Sequence, residues 1–411
     1  MIDKRRGFPA VFISGNQGSD QLESAPRTLS ILGATGSIGV NTLDVVRHMG
    51  GRDAFDVVAL TGSGNVTLLA KQASEFGAKI AVTADERQYS ALKEALAGTG
   101  IQAASGRQAL IDAAGVPVDI TMAAIVGMAG LEPTLAAAKN GSAIALANKE
   151  CLVAAGQLFK DAIAQAGGTL LPVDSEHNAV FQLLDAKHHD ALERVILTAS
   201  GGPFRTWSRE QMAGVTVETA RAHPNWSMGL KISIDSASMF NKALEMIEAQ
   251  HLFNLAPDQI EVIVHPQSII HSMAAYHDGS ILAQLGPSDM RAAIGYALNY
   301  PQRGFLPVER LDFAKLSRLD FAAPDEVCFP ALRLAREAMK AGGLSGAVLN
   351  GAKESALEAF IAGRLPFLAM ADVVETVMDT IDALSATGIE AVIAADNQAR
   401  RLAQEAIASR A

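Results

Sequence analysis

The chain is predicted to be α/β, with an N-terminal doubly wound sheet domain, a central α+β domain and a C-terminal helical bundle. Three observations carry this. Short apolar runs alternate with helical stretches from Arg27 onward, a glycine turn joins the first run to the first helix, and the last eighty residues are Ala-rich and amphipathic. The length of 411 residues and the 49% hydrophobic content allow two or three domains.

In chain order, residues 1–27 form a polar extension. Lys4, Arg5, Arg6 and Phe8 faintly resemble a twin-arginine signal, but the apolar run after them is short and Asp20 and Glu23 follow. Residues 28–173 form the first domain. Its strands are expected at 28–32, 55–60, 79–83, 118–125 and 142–147, and its helices at 37–48, 66–76, 87–98 and 130–139. Residues 174–300 form the second domain. The runs at 169–173, 194–200, 261–266 and 280–285 are assigned to this strand-rich region. Residues 301–328, with Pro301, Pro307 and Pro324, are expected to be a linker. Residues 329–411 are expected as helices near 329–341, 351–363, 368–383 and 390–408, with no chemical constellation and a structural role.

Bulk properties exclude some functions. The net charge is −10 and no basic run interleaves with aromatics, which argues against nucleic acid. No apolar run approaches the roughly 20 residues of a membrane span. Cys151 and Cys328 lie far apart with no metal-type spacing, as expected of a reducing, cytoplasmic compartment.

The turn "ILGATGSIG" (31–39) places Gly33, Gly36 and Gly39 between a strand and a helix. That Rossmann-like spacing permits a tight turn and close approach of a pyrophosphate to the helix N-terminus. The second strand ends in "LTGSGNV" (60–66), with no acid to favour an NAD ribose diol. This tilts the reading toward NADP. Ser63 and Asn65 can donate to a phosphate, although no Lys or Arg stands beside them.

"VDSEHNA" (173–179) sets Asp174 and Glu176 two positions apart, on one side of an extended chain, where either a positive group sits between them or one holds a proton. A helix expected from Asp235 carries Asn241, Lys242 and Glu245 on neighbouring positions. Lys242 and Glu245 alone would read as a surface ion pair. Beside "VDSEH", the three carboxylates Asp174, Glu176 and Glu245 make an oxygen-rich site for Mg²⁺ or Mn²⁺. The histidines lack zinc spacing, and His265 and His271 read as structural or supporting residues. "ILTASGGPF" (196–204) offers a small-residue loop to a phosphate.

Taken together and in order, "GATGSIG", "LANKE", "VDSEHNAVFQ", "TASGGPF", "HPNWSMG" with the following "KIS-DSASM-NK-LE", and "VHPQSIIHSM" closely resemble the 1-deoxy-D-xylulose 5-phosphate reductoisomerase family, from about Thr28 to near the C-terminus. The resemblance implies rearrangement and reduction of that sugar phosphate to 2-C-methyl-D-erythritol 4-phosphate, with NADPH and a divalent metal (Mg²⁺, Mn²⁺ or Co²⁺), in a homodimer. It implies metal ligation by Asp174, Glu176 and Glu245. Phosphate binding falls to Ser200, Ser236, Asn241 and Lys242. Lys149, Ser175, Glu176 and His223 face the carbonyl end of the substrate. Thr35, Gly36, Ser37, Ile38, Asn148, Glu150 and Gly229 touch the nucleotide, as would Ser63, Gly64 and Asn65 at the 2′-phosphate. Residues 223–229 form a lid in which Trp226 covers the substrate.

Two departures stand out. Gly64 occupies a place where the family often has a basic residue. "LNGAKE" (349–354) carries Lys353 in place of Asn, which is read as a packing or interface position. The alternatives are another metal-dependent oxidoreductase on the same scaffold and a non-catalytic nucleotide sensor. The first should lack the phosphate loops or the Trp-bearing lid, and the second should lack one of Asp174, Glu176, Glu245 or Lys149. All are present.

Overall fold

The computed structural model describes residues 25–410 except 185, 227, 382–384 and 386. The expected extension up to residue 24, and Ser227 of the expected lid, lie outside the described residues.

The first domain runs β1 (Arg27–Leu32), α1 (Ser37–His48), β2 (Phe55–Gly62), α2 (Val66–Phe76), β3 (Ile80–Thr83), α3 (Tyr89–Ala95), β4 (Gln102–Ser105), α4 (Gly106–Ala114), β5 (Ile120–Ala123), α5 (Leu131–Ala138), β6 (Ala143–Leu146), α6 (Glu150–Gln165) and β7 (Thr169–Pro172). All seven strands are parallel, in the order β4-β3-β2-β1-β5-β6-β7. The order reverses between β1 and β5, so a crevice opens at the carboxyl ends of those two strands. Two strands differ from expectation. β4 lies in "QAAS", too short and too poor in β-branched residues to announce itself. "TLLP" joins this first sheet as β7, rather than the following strand region.

The glycine turn has distinct jobs at its three positions. Gly33 has φ +93°, and a Cβ there would lie 2.6 Å from the Ala124 carbonyl oxygen at the end of β5. At Gly39 a Cβ would stand 2.4 Å from the Gly33 oxygen, so α1 can lie against β1 only without a side chain. Gly36 meets nothing closer than 3.4 Å. It caps α1 without a side-chain hydrogen bond, which leaves the helix N–H groups directed at the crevice.

The second region runs α7 (Ser175–Leu183), β8 (Leu192–Ala199), α8 (Arg209–Met212), α9 (Val217–Arg221), α10 (Leu230–Ala237), α11 (Phe240–Phe253), β9 (Ile260–Val264), β10 (Ile270–Tyr276), β11 (Ile281–Leu285) and α12 (Met290–Asn299). Its sheet has the order β11-β10-β8-β9, with β8 and β9 parallel and β10 antiparallel to both its neighbours. Three expectations change here. "VDSEHNA" is not extended: Asp174 precedes α7 and Glu176 sits in its first turn, where the helix dipole favours an acid. The helix expected from Asp235 is two helices. Ser238 turns its hydroxyl back onto the Ile234 carbonyl (2.9 Å), and Met239 takes φ +64°. "IHSMAAY" is β10, the strand that lies between β8 and β11.

Residues 301–328 are mostly irregular, with one short helix, α13 (Phe313–Leu316). They do more than link. Ala322 pairs with Val264 at the open side of β9, and the Asp320 carbonyl accepts from His265 Nδ1 (2.9 Å). An unpaired strand edge exposes N–H and C=O groups, and this segment partly satisfies them. The chain ends in α14 (Ala331–Ala341), α15 (Ser345–Ile361), α16 (Ala369–Thr380) and α17 (Ile389–Ala408). The buried face of α15 includes Ala347, Val348, Leu349, Ala352, Ala356 and Phe360, at helical spacing.

Gly39→Ala should destabilise the chain by about 1–3 kcal/mol in chemical denaturation, because the added methyl separates α1 from β1. Gly36→Ala, with room for its methyl, should leave stability within about 0.5 kcal/mol.

Candidate active site

The site is built where α6, α7 and α11 meet. Asp174 and Glu176 enter from the start of α7, Glu245 from the second turn of α11, and Lys149 from the residue before α6. Oxygen atoms of Asp174, Glu176 and Glu245 lie within 4.8 Å of one another. Two buried lysines compensate them. Lys149 Nζ ion-pairs with Asp174 and with Glu245 Oε1 (3.2 Å), and it donates to Asn241 Oδ1 (2.9 Å). Lys242 Nζ lies 3.0 Å from Glu176 Oε1 and ion-pairs with Glu245 Oε2. The sequence alone would make Lys242–Glu245 an exposed pair; both side chains are almost completely buried.

The charges shift one another. Burial would lower Lys149, but Asp174, Glu245 and Glu248 hold it well above the usual lysine value. Burial would raise Asp174, and the Lys149 ammonium, with His177, pulls it below the usual carboxylate range. Burial, then the Glu245 charge, pushes Glu176 up to about 7, against the pull of Lys242. Ser175 Oγ donates to Glu176 Oε2 (2.6 Å). Glu176 is therefore the site's poorly compensated acid. A divalent cation fits this donor set of three convergent carboxylates, with two flexible ammonium groups beside it.

A second group, Asp174, His177 and Glu248, also has ligand-type spacing. Its histidine meets protein groups on both sides: Nε2 donates to the Glu245 carbonyl (2.9 Å) and Nδ1 faces Glu248 Oε2 at 3.1 Å. Burial would lower the imidazole, but Glu248 outweighs it and pushes it up to about 9. Through these two contacts the imidazole ties α7 to α11. Neither His177 nor Glu248 receives a role from sequence reasoning. The signal was there: Asn241, Glu245 and Glu248 follow i, i+4, i+7 on α11.

The phosphate candidates approach from three elements. Ser200 follows β8, and Gly201 and Gly202 have φ of +78° and +66°. A Cβ on Gly202 would lie 3.0 Å from the Ser236 carbonyl oxygen, so this loop packs directly on α10. Asn241 and Lys242 open α11, but their polar groups are turned toward Glu245 and Lys149.

The segment before α10 is tied over this loop. Nδ1 of His223 accepts from the N–H groups of Trp226 (2.9 Å) and Asn225 (3.2 Å), which places the neutral ring's proton on Nε2, 2.9 Å from Ser200 Oγ. Burial lowers His223, in keeping with a neutral ring. Asn225 Nδ2 bonds to the Pro266 carbonyl, and the Trp226 ring lies 6.2 Å from that of His271. His271 is thus part of the wall that Trp226 meets. A cleft of 580 Å³ is lined by residues including His223, Trp226, Met228 and Ser233.

On the nucleotide side, Thr35, Gly36, Ser37 and Ile38 stand at the crevice around the start of α1. Ser63, Gly64 and Asn65 are exposed, and nothing lies within 4 Å of a Cβ on Gly64. Asn65 Oδ1 caps α2 by accepting from Leu68 N–H (3.1 Å), which leaves its amide hydrogens as donors. Asn148 is buried. Its amide donates to the carbonyls of Ile125 and Gly127 (3.0 Å) and its oxygen accepts from Cys151 N–H (3.3 Å), so its side chain braces the loop after β5. Glu150 opens α6, half-buried and raised above the usual value by burial. Gly229 caps α10 in open space.

A dinucleotide-type α/β domain joined to a buried three-carboxylate pocket and a phosphate-sized loop defines a class: metal-assisted, dinucleotide-dependent enzymes acting on a small phosphorylated substrate. Comparison narrows the class. Residues 29–156 match the 1-deoxy-D-xylulose 5-phosphate reductoisomerase family model, and residues 170–253 and 285–402 match two C-terminal domain models of the same enzyme. The chain is 70% identical to the 1-deoxy-D-xylulose 5-phosphate reductoisomerase of Rhizobium johnstonii over 93% of its own length and 97% of that protein. It is 66% identical to the Rhizobium meliloti enzyme, covering 93% and 98%. Among solved structures, the Zymomonas mobilis enzyme in complex with NADPH is 51% identical with a TM-score of 0.88, covering 93% and 99%. A reductoisomerase in complex with NADPH, fosmidomycin and magnesium is 43% identical with a TM-score of 0.88, covering 93% and 98%. The chain belongs to the 1-deoxy-D-xylulose 5-phosphate reductoisomerase family.

Because Glu176 is raised to about 7, protons compete with a metal ion below that pH. Mn²⁺ affinity measured by calorimetry should fall about fivefold from pH 7 to pH 6, about tenfold from pH 8 to pH 6, and level off above pH 8. Glu245→Gln should weaken Mn²⁺ binding by more than about tenfold at pH 8 while the far-UV dichroism stays unchanged.

Proposed function

We propose that this chain converts 1-deoxy-D-xylulose 5-phosphate to 2-C-methyl-D-erythritol 4-phosphate, an isomerisation followed by reduction, on the site described above. The observation that carries the assignment of roles is the convergence of Asp174, Glu176 and Glu245 on two buried lysines. These three acids hold the divalent metal. When bound, that ion supplies a Lewis acid for the substrate's ketone and neighbouring hydroxyl, and NADPH supplies the hydride.

The chain's own groups do the rest. Lys149 stays protonated and is poised to donate to a substrate oxygen, with Asp174 and Asn241 fixing its ammonium. Glu176 faces the hydroxyl end of the substrate, and the Ser175 hydroxyl, donating to its Oε2, sets its orientation. Ser200, Ser236, Asn241 and Lys242 bind the phosphate, which is remote from the reacting carbons, so its binding energy serves orientation. His223 holds Ser200 and the backbone of residues 225–226 together, and Trp226 covers the substrate and excludes water.

The nucleotide lies across the crevice at Thr35–Ile38, with its 2′-phosphate over Ser63, Gly64 and Asn65. Asn148 positions the loop beside it, and Glu150 and Gly229 complete the contact. Residues 28–173 form the nucleotide domain, 174–300 the catalytic domain with lid 223–229, and 329–411 the helical domain, with 301–328 between them. The unit of function is a homodimer. Among the described residues β11 is the outer strand of the second sheet, and it exposes Ile281 and Leu282, which invites pairing with a second copy. No helix among the described residues is long and apolar enough to cross a membrane, and both cysteines are free thiols. The cytoplasm is the compartment that suits these thiols.

Three experiments test this reading. Incubation with the sugar phosphate, NADPH and Mn²⁺ should consume nicotinamide absorbance and give the branched polyol phosphate; no consumption would reject the function. Light scattering should give twice the chain mass of 43.0 kDa. Gly64→Arg should tighten NADPH binding by about tenfold at low salt, leave NADH nearly unchanged, and lose part of the gain at 0.5 M salt. An unaltered NADPH affinity would place the 2′-phosphate elsewhere.

A further inference from the structure

The sequence reading sets Lys353 outside the site, as a packing or interface position, and gives the C-terminal helices no chemistry. The structure places Lys353 in a buried contact between two helices. Lys353 projects from α15 into the interior, where Nζ lies 2.9 Å from Asp235 Oδ2 of α10. The two side chains are 4% and 9% exposed. Asp235 immediately precedes Ser236. Lys353 also faces the charge of Glu150, the residue after Lys149, and that of its neighbour Glu354. Glu354 is in turn paired with Arg400 of α17.

One turn away, a second pair of opposite polarity joins the same two helices: Lys231 Nζ of α10 lies 2.9 Å from Glu358 Oε1 of α15. The crossed pairs fix an antiparallel register. Sliding α10 by one turn would set Asp235 against Glu358, or Lys231 against Lys353. Each of these costs like-charge repulsion, and each leaves a buried charge unpaired.

This matters because α10 cannot hold itself. It has eight residues, far below the length at which an isolated helix is stable, and its Gly229 cap makes no side-chain hydrogen bond. Yet it begins where the lid segment ends, and its last turn meets the Ser200–Gly202 loop.

We propose that Lys353 is a positioning residue: its buried ion pair with Asp235 locks α10 onto α15, and so sets where the lid ends and where Ser236 stands relative to the phosphate loop. The C-terminal bundle thereby takes part in substrate recognition without touching substrate. This rests on the reading of Ser236 and the lid given above.

The test uses the full-length chain with Mn²⁺. Lys353→Met should speed amide hydrogen exchange in residues 230–237 by about tenfold and raise KM for the sugar phosphate by about tenfold, with kcat changed by less than about threefold. Lys353→Gln, which keeps a donor of similar reach, should recover most of both effects. Lys231→Ala, which breaks only the exposed pair, should stay within about twofold of the parent. If Lys353→Met fails to fold, Asp235→Asn/Lys353→Met leaves no unpaired charge, and the same two measurements apply to it. A lower melting temperature with exchange or KM unchanged overturns the proposal, because the pair is then only structural. If the unmodified chain does not turn over this substrate, the proposed function fails, and the exchange measurement alone decides the role of Lys353.

Discussion

Three carboxylates within 4.8 Å of one another, one buried and two mostly so, are the constraint around which the rest of this structure is arranged. Water screens them poorly there, so each needs a positive partner or a proton. Lys149 takes Asp174, Lys242 takes Glu176, and both share Glu245. The count still falls short by one, and Glu176 shows the deficit by holding a proton up to about pH 7. A pocket with more negative than positive charge, lined by oxygens and largely shielded from water, is one that a divalent cation completes.

The scaffold keeps this pocket in register with the crevice of the first sheet. Lys149 and Glu150 start α6 directly after β6, and Asp174 follows β7, so the last two strands of the first sheet deliver acids and base to one place. His177 and Glu248 form a rear support that ties α7 to α11. The glycine turn, the Asn148 brace and the reversal of strand order between β1 and β5 open the crevice beside that place. The distance between crevice and pocket is therefore set by strand-to-helix joints, not by mobile loops.

Much of this was legible because period and spacing carry it. The βαβ alternation announced the doubly wound sheet, and the convergence of Asp174, Glu176 and Glu245 was read from their chemistry. Other features were not legible, for physical reasons. β4 is four residues of small and polar character, with no pattern to separate it from a loop. The break at Met239 depends on a serine hydroxyl bonding backward, a choice that helix propensity does not reveal. Burial of Lys242 and Lys353 could not be inferred, since a lysine near a glutamate on a helix is usually a solvated pair. Asn148 reads as a ligand contact in sequence, while its side chain is spent on the protein's own carbonyls.

The central claim is that Asp174, Glu176 and Glu245 together are the metal centre. It is tested most directly by the anomalous scattering of Mn²⁺ in crystals of this chain grown at pH 8. The account predicts a single peak within roughly 2.0–2.4 Å of one oxygen from each of the three carboxylates, with the ammonium groups of Lys149 and Lys242 moved off Glu245. A peak between Asp174, His177 and Glu248, or none near Glu245, would contradict it.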